Sequence, residues 1–157
     1  MRGIFSVLVE NKDGVLSQIS GLFARRGFNI DSLAVGETER HDISSMTIVS
    51  TGDNRTIDQI EKQLNKKVDV IKVRRLDETK CIEMEMMLIK VSYNATNRSS
   101  LIEICSVMGA KILHVSNKHL LIEIHDSPEV VENFINLVRP FGIVEVQRTG
   151  TVAMSKN

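Results

Sequence analysis

The sequence has no tryptophan, one tyrosine, two prolines and two cysteines in 157 residues. Two widely spaced cysteines, Cys81 and Cys105, are too few for the disulfide framework of a small secreted domain. They are expected to be buried thiols in a reducing cytoplasm. Neither sign of charge is in excess, with 20 Lys and Arg against 20 Asp and Glu. That balance argues against a nucleic-acid partner held mainly through its phosphates, and against a polybasic membrane anchor. The central strands also lack the stacking aromatics of RNA-binding sheets. No apolar run reaches the roughly 18 residues of a membrane-spanning helix. The opening Met1-Arg2-Gly3-Ile4-Phe5-Ser6 enters a strand pattern directly, without the apolar stretch of a signal peptide. The expected location is therefore the cytoplasm, where the sequons at Asn54, Asn94 and Asn97 are chance matches.

What is present is alternation. Residues 4–9 form an apolar run of strand length. Val15, Leu16, Ile19, Leu22 and Phe23 then take the spacing of one helix face over residues 14–26. Arg25 and Arg26 suit the negative end of that helix, and Gly27 suits its left-handed stop. Residues 29–38 and 43–51 read as two strands joined through Glu39-Arg40-His41-Asp42 as a hairpin. Gly52-Asp53-Asn54 supplies caps for a second helix with Ile57, Ile60 and Leu64 inward. Residues 68–73 make a final strand. The order is β-α-β-β-α-β, a split βαβ arrangement: a four-stranded antiparallel sheet with both helices on one face and the other face bare. An apolar bare face invites a partner.

The charged stretch Arg74-Arg75-Leu76-Asp77-Glu78-Thr79-Lys80 separates this unit from a second one. The expected domains are 1–76 and 77–157. In the second, residues 81–93 form a long strand, with Ile82, Met84 and Met86 on one face and Met87, Ile89 and Val91 on the other. That change of face implies burial on both sides or a bulge. Methionines in such a strand are expected in the core. Asn97 and Ser100 are capping candidates, and Ser100 with Glu103 has the spacing of a capping box. Leu101, Ile104, Cys105 and Met108 form a helix face ended by Gly109. Residues 111–116 and 119–125 flank a hairpin turn at Asn117-Lys118. Ser127-Pro128-Glu129 starts a helix with Val131, Phe134, Ile135 and Val138 inward. Arg139-Pro140-Phe141-Gly142 ends it, and residues 143–147 form the last strand. The fold class is α+β, with two consecutive ferredoxin-like βαββαβ domains.

The stretch Leu8-Val9-Glu10-Asn11-Lys12-Asp13-Gly14-Val15-Leu16 carries the candidate site, with Arg26-Gly27-Phe28-Asn29-Ile30. A strand runs through a tight turn into a helix whose first amides are unpaired donors with the positive dipole end behind them. Such a place attracts a small anion such as a carboxylate. Asn11 adds an amide that both donates and accepts. If two such sheets pair, Asn29 of one chain approaches Asn11 of the other. Amides for a carboxylate and oxygens for an ammonium are what a free amino acid needs. Val15, Leu16, Ile30 and Leu33 would line its apolar pocket, and Gly36 would keep the second strand from crowding it. The second half has Tyr93-Asn94-Ala95-Thr96-Asn97 at the equivalent place and lacks the Asn-x-x-Gly turn. One half is thus expected to sense, and the other to support or contact a partner. His41, His114, His119 and His125 are scattered without metal-type spacing. Walker, dinucleotide and Gly-x-Ser-x-Gly patterns are absent. The site is built to hold a small molecule. A small enzyme of acylphosphatase type would need an Arg and an Asn at a phosphate loop, for which Arg2 and Asn11 are a poor substitute.

Phe5-Ser6-Val7-Leu8-Val9-Glu10-Asn11, Gly14-Val15-Leu16 and Gly21-Leu22-Phe23-Ala24-Arg25-Arg26-Gly27-Phe28-Asn29-Ile30-Asp31-Ser32-Leu33 together resemble the ACT domain of the regulatory subunit of acetohydroxyacid (acetolactate) synthase. Met46-Thr47-Ile48, Ile60 to Lys66, Val68-Asp69-Val70, Val144-Glu145-Val146 and Arg148-Thr149-Gly150 continue the likeness. The resemblance implies a subunit that is not catalytic by itself. It implies a homodimer that binds and activates a catalytic subunit carrying thiamine diphosphate, Mg and FAD, with no cofactor of its own. It implies feedback inhibition by valine or a related branched-chain amino acid, leucine or isoleucine. By position it assigns Asn11, Gly14, Val15, Leu16, Asn29 and Ile30 to the effector site, at an interface of paired ACT domains. Asp13 stands where many ACT domains carry proline, and is a candidate cap for the helix. Another ACT-type amino-acid sensor is the alternative within the same fold.

Overall fold

The computed structural model describes residues 1–157, in the order β1 (Arg2–Glu10), α1 (Val15–Arg26), β2 (Ser32–Glu37), β3 (Ile43–Thr51), α2 (Asn54–Asn65), β4 (Val70–Leu76), β5 (Cys81–Ser92), α3 (Arg98–Val107), β6 (Lys111–Val115), β7 (His119–Asp126), α4 (Pro128–Val138), β8 (Ile143–Arg148) and β9 (Val152–Ser155). The βαββαβ order therefore occurs twice, followed by one further strand. The chain packs as two compact units, Met1–Ile82 with Thr151–Asn157, and Glu83–Gly150. The division at 76/77 follows the repeat of the fold, whereas these units follow packing. No helix is long and apolar enough to cross a membrane.

In the first unit the sheet order is β2-β3-β1-β4, with antiparallel neighbours throughout. Period-2 alternation sends Phe5, Val7 and Val9 to one face of β1, where they pack with Val15, Ile19, Leu22, Phe23, Ile57, Ile60 and Leu64 of the two helices. Fully burying each such side chain contributes about 1.5–3 kcal/mol. α1 stops where the sequence says it should. Gly27 is left-handed (φ 68°), its N–H donates to Ala24 O, and Phe28 N–H donates to Phe23 O, the paired bonds of a Schellman motif. The rings of Phe23 and Phe28 then meet edge to face at 6.1 Å. α2 is capped by Asp53, whose carboxylate accepts the Thr56 N–H at 2.7 Å. That N–H bond, with the Thr56 hydroxyl second, holds the Asp53 carboxyl below its ordinary range.

Two strands differ from the sequence expectation. β2 begins at Ser32 rather than 29, because before it one backbone bond, Asp31 N–H to Val49 O at 2.8 Å, and two side chains of β3 hold the chain in place of a regular ladder. Ser50 Oγ donates to Asn29 O, and Thr51 Oγ1 donates to Asp31 Oδ2. β4 runs Val70–Leu76 rather than 68–73, absorbing part of the charged junction. Val68 is 95% exposed, since the chain is still turning there and Val70 N–H donates to Lys67 O.

The opposite face of the first sheet is not bare. Ile4, Val49 and Leu76 form a small second core there with Cys81 and Ala153. The segment Thr151–Asn157, unforeseen as a strand, supplies the cover. β9 pairs with β5, Thr151 N–H donates to Ser32 Oγ at 2.8 Å, and Ala153 N–H donates to Thr47 Oγ1 at 3.3 Å.

The second unit has the order β6-β7-β5-β8. Met87, Ile89 and Val91 face a core with Leu101 and Cys105 of α3 and Val131, Phe134, Ile135 and Val138 of α4. β5 neither bulges nor buries both faces where its apolar residues change side. It alternates strictly, with Ile82, Met84 and Met86 on the exposed face, so Met84 and Met86 are not core residues. The inward position at 85 is a buried glutamate paired with Arg148. The Ser127 cap and the inward face of α4 are as expected. The Ser100–Glu103 capping box does not form. α3 already begins at Arg98, because Asn94 Oδ1 accepts the N–H groups of Thr96 and Asn97 and Asn97 Oδ1 accepts the Asn94 N–H. Both cysteines are buried and neither is in a disulfide. Burial pushes the Cys105 thiol up.

Candidate functional site

The turn from β1 into α1 is held from three sides. Glu10 N–H donates to Asp69 O at 2.9 Å, tying the end of β1 to the approach to β4. Lys12 Nζ bridges Asp69 (2.8 Å) and Glu10 (3.0 Å). The hydrogen bond from Lys12 lowers the Asp69 carboxyl, and the hydrogen bond to Asp69, then that to Glu10, raises the Lys12 ammonium. On the other side Asn11 N–H donates to Asp42 O at 2.9 Å, locking the turn to the tip of the β2–β3 hairpin.

Gly14 is the residue that makes the corner. It is left-handed (φ 85°), and an added Cβ would meet nothing within 4 Å, so the demand for glycine is one of backbone rather than space. Gln18 N–H closes the first helical turn onto Gly14 O. The N–H groups of Leu16 and Ser17 lie ahead of any intrahelical acceptor. No side chain caps them, so Asp13 is not the cap that its position suggested.

The six sequence-assigned residues fall into two groups. Asn11, Gly14 and Leu16 line the mouth of α1 and are exposed. Val15 contributes only backbone there, because its side chain is 3% exposed within the main core. Asn29 and Ile30 lie in the loop before β2. The Asn29 amide donates to Asp31 Oδ1, and Ile30 packs against the first core with Leu33. A side chain at Gly36 would also meet nothing within 4 Å, so that glycine relieves no crowding within one chain.

The groups do not meet. Asn11 touches Glu37, the last residue of β2, whereas Asn29 precedes Ser32, the first. Six residues of strand, about 17 Å at about 3.3 Å per residue, separate them. Glu37, His41, Lys12 and Asp69 shape the mouth and were missed among the candidates. The signal for the first two was topological. In a sheet ordered β2-β3-β1, the residue after β1 must face the tip of the β2–β3 hairpin. No three His, Cys, Asp or Glu side chains gather in a group able to hold a metal ion.

The comparisons with known proteins agree across both units. Residues 5–72 match the family model described as an AHAS small subunit-like ACT domain, and residues 84–157 match that described as small subunit of acetolactate synthase. The probable acetolactate synthase small subunit of Archaeoglobus fulgidus is 46% identical over 154 residues, 98% of this chain and 96% of that one. The acetolactate synthase small subunit of Mycolicibacterium smegmatis is 46% identical over 151 residues, 96% and 89% of the two chains. The crystal structure of the acetolactate synthase small subunit from Thermotoga maritima superposes with a TM-score of 0.91 at 41% identity, covering 99% of this chain and 97% of that one. The chain, ACT-type unit and second unit alike, belongs to the acetolactate synthase small-subunit family.

Proposed function

We propose that this chain is the regulatory subunit of acetolactate synthase. It binds the catalytic subunit, raises its activity and makes it sensitive to valine. The reaction chemistry, from pyruvate to acetolactate, resides on that partner with its thiamine diphosphate, Mg and FAD. The complex works in the cytoplasm.

The observation that carries the effector reading is the placing of Asn11 and Asn29 at opposite ends of β2. One copy of the chain cannot use both on one small molecule. β2 is an edge strand with its outer ladder unpaired. Two β2 strands related by a two-fold axis run antiparallel, so the α1 mouth of one copy meets the Asn29–Ile30 loop of the other. The valine carboxylate then accepts from the open N–H groups of α1. Its side chain lies against Leu16 and the partner copy's Ile30. Valine changes the catalytic rate only through unequal affinity for two states of the complex, a coupling of about 1–3 kcal/mol.

The test is acetolactate formation by the catalytic subunit with this chain added, with and without valine. Wild type raises the rate and valine lowers it. Gly14→Asp puts a carboxylate where the ligand's carboxylate sits, and Asn29→His alters the facing loop. Both still activate and both lose valine inhibition. Inhibition unchanged in both variants overturns the site.

A further inference from the structure

Asn11 sits in the mouth of α1 with two acceptors on one side of its amide. Glu37 Oε1 lies 3.2 Å away and the backbone carbonyl of His41 2.7 Å away. Only the NH₂ end of an amide can face two acceptors, because the oxygen would be repelled by both. Both Nδ2 protons are thereby committed, and Oδ1 is the atom left to meet a ligand. Glu37 is itself held, since its second oxygen takes the His41 Nδ1 at 2.7 Å. A carboxylate only accepts, so His41 donates through Nδ1–H. Glu37 is the last residue of β2 and His41 lies in the following hairpin tip, so one small network bridges the hairpin and fixes the plane of the Asn11 amide.

We infer that Glu37 and His41 are positioning residues that turn Asn11 into a hydrogen-bond acceptor, so that this residue reads the ammonium of a free amino acid rather than its carboxylate. The inference rests on the effector reading above and deepens it. The open N–H groups of Leu16 and Ser17 take the carboxylate, while Asn11 Oδ1 takes an N–H⁺ of the same ligand. The mouth thus distinguishes an amino acid from the carboxylic acid of the same shape. Glu37 acts through Asn11, and its charge is not what the ligand meets.

The experiment is calorimetric titration of the full-length chain with L-valine and with 3-methylbutanoate, which is valine without its ammonium. Wild type binds valine more tightly. Glu37→Ala leaves only the His41 carbonyl to hold the Asn11 amide, and valine affinity falls about tenfold, the worth of one hydrogen bond to a charged group, while 3-methylbutanoate is unaffected. Glu37→Gln still offers an oxygen to Asn11 Nδ2 and keeps valine affinity within about twofold. Valine affinity unchanged in Glu37→Ala overturns the positioning role. So does a loss in Glu37→Gln as large as in Glu37→Ala, which makes Glu37 a direct ligand for the ammonium. Equal affinity of wild type for the two compounds overturns the acceptor role of Asn11. A folded wild type that binds neither overturns the effector reading itself, and this inference with it.

Discussion

Thr151 donates its backbone N–H to Ser32 Oγ at 2.8 Å, joining two residues 119 apart in sequence. Ser32 opens β2, next to the loop that holds Asn29, and Thr151 opens the C-terminal segment that covers the first sheet. Thr151 is 4% exposed, so water cannot replace its acceptor. Ser32→Ala is expected to cost about 1–3 kcal/mol, the penalty for an orphaned buried donor. Urea unfolding followed by circular dichroism measures it. A change below about 0.5 kcal/mol, the level of an ordinary surface substitution, would show that the segment does not depend on this bond.

Glu85 and Arg148 make the second testable pair. Arg148 Nε and Nη2 engage both Glu85 oxygens, and Nη1 reaches Glu132 at 3.2 Å. The Glu85 side chain is 3% exposed against 38% for Arg148. Arg148→Ala strands a buried carboxylate and is expected to destabilise the second unit by about 2–3 kcal/mol, below the 3–5 of a fully buried pair. Glu85→Gln with Arg148→Met removes both charges and recovers most of that loss. A double variant as unstable as the single one would assign the cost to packing.

Acid stability should carry a contribution from Asp53. Its carboxyl is held below the ordinary value of 3.8 in the folded chain. A depressed folded value gives stability that is complete above the unfolded value and is lost as pH falls through the folded one. Asp53→Asn keeps a capping oxygen but cannot titrate. It is expected to flatten the slope of unfolding free energy between about pH 5 and pH 2. Equal slopes for wild type and variant would remove the cap from the acid response.

The thiols offer a local reading of stability. Cys81 belongs to the small core beneath the first sheet, and Cys105 to the main core of the second unit. Burial raises the Cys105 thiol and suppresses its reactive thiolate. In Cys81→Ser the remaining thiol should react with a disulfide reagent only as the second unit opens. In Cys105→Ser the remaining thiol should report the first. A fast, denaturant-independent reaction of either would contradict its burial.

Much of this was legible in the sequence because the deciding signals are local. Gly27 ends α1, Asp53 and Ser127 start helices, and Asn117-Lys118 turns a hairpin, each through bonds within five residues. The failures are non-local. The apolar run at Phe28, Ile30 and Leu33 reads as strand before Ser32, but there side chains of β3 hold the Asn29 carbonyl and the Asp31 carboxylate. β9 is only four residues long, and the acceptors of this segment, Ser32 for Thr151 and Thr47 for Ala153, lie more than a hundred positions upstream. The site was half legible. The Asn-x-x-Gly turn announced the mouth of α1, while Glu37 and His41 become visible only once the sheet order brings the hairpin tip to Asn11.

Residues 151–157 cover one face of the sheet whose first strand begins at Arg2. During synthesis the N-terminal half can assemble its helices and strands early, yet Ile4, Val49 and Leu76 stay uncovered until the ribosome has delivered the tail. A product cut short by a premature stop would present that sticky surface to its neighbours.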